Sequence, residues 1–76
     1  MLVTETTAAN VRAELARLDI TQGEAAMKLG ISKQAMSSKL NNKTAFTLLE
    51  LGALAQFLQV DIRSFFKEHH PLAAAA

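Results

Sequence analysis

Lys33, Gln34, Ser37 and Ser38 stand at i, i+1, i+4 and i+5 within the segment GISKQAMSSKL, residues 30–40. At helical spacing they share one outward face near the start of a helix, with Met36 and Leu40 opposite. A solvated face favours Glu and Lys, whereas this one sets neutral hydrogen-bonding side chains beside a single charge. That chemistry suits the edges of bases. Gln pairs with N6 and N7 of adenine, Lys donates to O6 and N7 of guanine, and serine hydroxyls serve base or phosphate. Small serines also allow close approach of a backbone. Nearby groups suit phosphates: Gln22 opens the preceding helix, where its amide adds to the positive end of the helix dipole, and Lys39, Asn41, Asn42 and Lys43 flank the reading face.

The charge distribution agrees. The net charge of +1 is unevenly placed. Residues 21–49 carry Lys28, Lys33, Lys39 and Lys43 against Glu24 alone, a local +3. Residues 1–20 hold Arg12 and Arg17 against Glu5, Glu14 and Asp19, and residues 50–76 hold Arg63 and Lys67 against Glu50, Asp61 and Glu68, each −1. The positive potential is centred on the segment with the polar face.

The elements that must hold this face are all helical. Thr7 is expected to cap a first helix to about Leu18, with Val11, Leu15 and Leu18 on one side. Thr21 caps a second, Gln22 to Leu29, and Glu24 completes a capping box. Gly30 stops it, being the residue that most cheaply adopts a left-handed conformation. Ser32 caps the third helix, Lys33 to Leu40. Thr47, with Glu50, starts a fourth from Leu48 to about Leu58, its core stripe read as Leu48, Leu51, Ala55 and Leu58. Asp61 caps a short fifth, with Ile62, Phe65 and Phe66 as its inward candidates. The chain is therefore read as an all-α, five-helix domain over residues 7–68, with an N-terminal arm at 1–6 and a flexible tail at 69–76. Seventy-six residues permit one small core.

Several function classes are poorly supported. No apolar run nears the roughly 20 residues that span a bilayer, and no leader pattern opens the chain. There are no cysteines, so no thiolate metal site or disulfide, which is compatible with a reducing cytoplasm. His69 and His70 are adjacent, so on a helix they point to different faces, and no metal is expected. No paired nucleophile and base, no phosphate-cradling glycine loop and no small-molecule or cofactor site is evident, which argues against an enzyme. Lys28 reads as a solvated charge.

Only Gly30, Ile31 and Ser32 join the second helix to the third, a connection suited to a near-perpendicular crossing with Ala26 at the contact and Ile31 and Met36 filling the angle. That spacing is a helix-turn-helix, whose second helix enters the major groove. The stretch ITQGEAAMKLGISKQAMSSKL resembles the helix-turn-helix of the phage repressor and Cro family, and the likeness runs from about Val11 to Phe65. The resemblance implies sequence-specific binding of double-stranded DNA, usually as a homodimer on a palindromic operator, and transcriptional control. It implies that Gln22 contacts phosphate and that Ser32, Lys33, Gln34, Ser37 and Ser38 face bases. The chain departs from the family at Lys39 and Leu40, where many members carry an apolar and a polar residue respectively. Asn42 replaces a frequent glycine and is expected to be left-handed. Phe57 and Phe66 are candidate anchors of a dimer interface. The competing reading is a protein-interaction module of antitoxin-adaptor kind that keeps the fold without reading DNA.

Overall fold

Three side chains start the three middle helices. Thr21 Oγ1 accepts from the Glu24 N–H at 3.1 Å while the Glu24 carboxylate accepts from the Thr21 N–H at 3.0 Å. Thr47 and Glu50 repeat the exchange at 3.1 and 2.8 Å, and Ser32 Oγ accepts from the Ala35 N–H at 3.0 Å. Each such cap contributes about 1 kcal/mol. In the computed structural model, which describes residues 3–67, they open α2 (Gln22–Leu29), α4 (Leu48–Leu58) and α3 (Lys33–Leu40). Ahead of them runs α1 (Val3–Arg17), and a 3₁₀ helix, Ile62–Phe66, follows. The described residues contain no strand, and the class is all-α.

All four α-helices end in one way. Asp19, Gly30, Asn42 and Gln59 have φ of 58°, 70°, 63° and 57°. The next N–H in each case reaches back five residues: Ile20 to Leu15 O at 2.8 Å, Ile31 to Ala26 O at 3.0 Å, Lys43 to Ser38 O at 2.8 Å and Val60 to Ala55 O at 3.0 Å. These are Schellman ends, which satisfy the last carbonyls and turn the chain sharply.

The core is built from Val11 and Leu15 of α1, Ala25 and Ala26 of α2, Met36 and Leu40 of α3, Leu51, Leu54, Ala55 and Leu58 of α4, and Phe65. Ile31 packs on it from the turn. Helix α1 lies on α3 and the 3₁₀ helix, α2 lies on α3 and α4, and α4 also touches the 3₁₀ helix. Asn10, buried in α1, donates from Nδ2 to the carbonyls of Phe65 at 2.9 Å and Lys67 at 2.6 Å.

Three expectations are corrected. The first helix starts at Val3, so residues 3–6 continue it instead of forming an arm, and Thr7 is buried within it instead of capping it. Thr6, Thr7 and Ala8 are buried, and backbone there needs the hydrogen-bond partners that a continuing helix supplies. Leu48 is 71% exposed and Leu54 takes its place in the core. The packed stripe of α4 begins at Leu51, leaving Leu48, the helix's first residue, ahead of it. The fifth helix is 3₁₀, its Ser64 N–H bonded to Asp61 O at 2.8 Å; five residues suit this tighter form. The expected tail, 69–76, with His69 and His70, lies outside the described residues.

Candidate nucleic-acid interface

The orientation of α3 follows from its two buried residues. Met36 and Leu40, one turn apart, are fixed in the core, and this rotation leaves Ser32, Lys33 and Gln34 exposed and Ser37 and Ser38 half-buried. The start of the helix is held by the Ser32 cap. Its other end is held from α1, where the Arg12 guanidinium donates to the Leu40 carbonyl. A cation at the C-terminal carbonyls also complements the helix dipole. Sequence reasoning missed this contact, because its acceptor is a backbone carbonyl that no residue type announces.

The phosphate candidates divide. Gln22, Asn41 and Lys43 are exposed. Asn41 Nδ2 donates to Ser37 Oγ at 3.2 Å, linking the polar face of α3 to the loop that follows. Asn42 is left-handed, as its replacement of glycine requires. Lys39 turns the other way. Its Nζ lies 3.1 Å from Glu50 Oε1 and donates to the Ala45 carbonyl at 3.1 Å.

One of the four Schellman ends differs in composition. Such an end is commonly closed by an apolar contact between the residue donating this bond and the one accepting it. In α1, α2 and α4 those pairs are Ile20 with Leu15, Ile31 with Ala26 and Val60 with Ala55, all core or core-packed. In α3 the pair is Lys43 with Ser38. The backbone is the same and the side chains are polar, at the one of these helix ends that borders the outward polar face of α3. Where a chain keeps a local geometry and gives up its usual packing, function is the expected reason.

A helix-turn-helix family model matches residues 11–65. The chain belongs to the helix-turn-helix family of phage repressor and Cro type. No curated protein and no solved structure matches it. The family is a DNA-binding one, not a catalytic one, and this helix-turn-helix protein is a DNA-binding regulator whose partner is double-stranded DNA. Its motif is α2, the turn Gly30–Ser32, and α3.

Away from this face, Lys28 is exposed and its Nζ lies 5.2 Å from the centroid of the Phe57 ring. Phe57 is half-buried against the core, whereas Phe66 is 43% exposed. Among the described residues no three His, Cys, Asp or Glu side chains gather to hold a metal, and no helix is long and apolar enough to cross a membrane.

Proposed function

We propose that this helix-turn-helix protein is a prokaryotic or phage repressor, acting in the cytoplasm as a homodimer on a palindromic operator. The reading rests above all on the polar face of α3: Met36 and Leu40 are its buried residues, and Lys33, Gln34, Ser37 and Ser38 leave a hydrogen-bonding surface turned away from them. Lys33, Gln34, Ser37 and Ser38 contact base edges, and Ser32 sits at the helix start where it reaches the first base or its phosphate. Gln22 at the head of α2 takes a phosphate from one side, and Asn41, Asn42 and Lys43 take phosphates from the other. One short helix reads too few base pairs to find a site in a genome, hence two copies. Phe57 and the exposed Phe66 are the proposed anchors of the dimer interface.

Footprinting on sites selected from random duplexes, with sedimentation of the complex, tests this. Two half-sites about 34 Å apart, or a multiple of that, are expected. One protomer saturating a non-repeated site would sink the dimer. The adaptor reading draws on Leu48 and Leu49, adjacent and 71% and 88% exposed. It would be favoured by the absence of salt-dependent retention on heparin or DNA.

A further inference from the structure

Lys39 and Glu50 are joined across the loop that links the reading helix to α4. Lys39 is in the last turn of α3 and Glu50 in the first turn of α4. Their side chains are 14% and 17% exposed, and Nζ–Oε1 is 3.1 Å. Neither group serves the pair alone. Nζ also holds the Ala45 carbonyl, in the middle of the loop, at 3.1 Å. The Glu50 carboxylate also accepts from the Thr47 N–H at 2.8 Å, at the loop's end. The beginning of the same loop is tied down by the Lys43 and Thr44 N–H groups, both bonded to Ser38 O, at 2.8 and 3.3 Å. The position of Lys39 explains why it turns inward. It precedes Leu40 and follows Met36 by three residues, so it flanks the buried side of α3 and not the outward one.

We infer that the Lys39–Glu50 pair is a strut that presets the 41–47 loop for phosphate contact, making Lys39 and Glu50 positioning residues for DNA binding and not DNA contacts. A loop already in place is not ordered at the moment of binding, so its contacts with the duplex are not offset by that entropy cost. A partly desolvated ion pair with further hydrogen bonds on both partners is the kind that couples neighbouring elements. The inference rests on the reading of Asn41–Lys43 as phosphate contacts, and it makes an acidic residue necessary for binding a polyanion.

The test uses Lys39→Met, which keeps the aliphatic stem, and Glu50→Gln, whose amide oxygen still accepts from Thr47. Amide exchange at Lys43 and Thr44, measured without DNA, should quicken in both variants. Binding is then titrated against salt on matched and scrambled duplexes. Each variant should lose roughly three- to tenfold affinity on both duplexes, the double variant should lose little more than either single one, and the salt slope should stay that of the parent protein. A slope lowered by about one in Lys39→Met would make Lys39 a phosphate contact and overturn the strut. Tighter binding by Glu50→Gln, as removal of a negative charge alone would give, overturns it as well. Faster exchange with unchanged affinity would retain the strut's hold on the loop but overturn its role in binding. A parent protein that binds no duplex in a salt-dependent way would refute the DNA reading, while the exchange result would stand separately. Should Glu50→Gln unfold the domain, Lys39→Met decides alone, because it leaves the Thr47–Glu50 cap intact.

Discussion

The side-chain amide of Asn10 donates to the backbone carbonyl of Phe65 at 2.9 Å, joining the first helix to the last across most of the chain. With the second bond to Lys67 O, it fixes the 3₁₀ helix that carries both Phe65, in the core, and the exposed Phe66, a proposed dimer anchor. Asn10→Ala should leave the buried Phe65 carbonyl without its side-chain donor and lower stability by about 1–3 kcal/mol. In urea the midpoint should fall with an unchanged slope. An unaltered midpoint would mean that Phe65 packing alone docks the segment.

Gly30 isolates backbone strain from packing. A Cβ built there meets nothing within 4 Å, yet φ is 70°. Gly30→Val should therefore cost more than about 1 kcal/mol through conformation alone, and Gly30→Asn distinctly less, because Asn tolerates the left-handed region. Thermal melts of the two variants give the comparison. Equal melting temperatures would refute it.

Gln34 and Lys43 separate reading from holding. Gln34→Ala should weaken the preferred duplex by roughly 1–3 kcal/mol per half-site and leave scrambled DNA nearly unaffected. Lys43→Ala should weaken all duplexes alike and lower the salt slope by about one. Equal losses on both duplexes for Gln34→Ala would show that α3 is not the reading element.

Three carboxylates make the fold sensitive to acid. The Arg63 side chain, then its N–H, hold Asp61 at about 2. The Thr21 N–H and hydroxyl hold Glu24 below its ordinary value. For Glu50 burial pushes upward, but the Thr47 N–H, Lys39 and the Thr47 hydroxyl together outweigh it, so it too is lowered. Groups lowered on folding stabilise the protein above their unfolded values, about 4, and lose that contribution as pH falls through the folded ones. The melting temperature should thus decline below about pH 4.5, less steeply in Glu24→Gln and Glu50→Gln. Melts across that range check it, and identical acid profiles for parent and variants would refute the assignment.

What the sequence made legible was local. Thr21 with Glu24, Thr47 with Glu50, Ser32 and Gly30 mark their helix ends through contacts within a few residues, and α2, α3 and α4 begin and end as read. The outward polar face of α3 was legible for the same reason, since Met36 and Leu40 fix its rotation. Long-range choices were not. Asn10 and Arg12 bind backbone carbonyls of distant residues, which no residue pattern encodes. Lys39 looked like one more cation beside the reading helix until the path of the 41–47 loop brought Glu50 to it. Leu48 was misplaced because helical periodicity gives a direction but not where along α4 the core begins.

The polar closure of α3 by Ser38 and Lys43 has an evolutionary consequence. The other three helix ends use an isoleucine or valine there, so a stabilising substitution is already written elsewhere in the chain. Lys43→Ile, alone or with Ser38→Ala, should raise or hold the melting temperature while weakening DNA binding, a trade of activity for stability at one helix end. Selection for thermal robustness alone would drift toward that apolar pair.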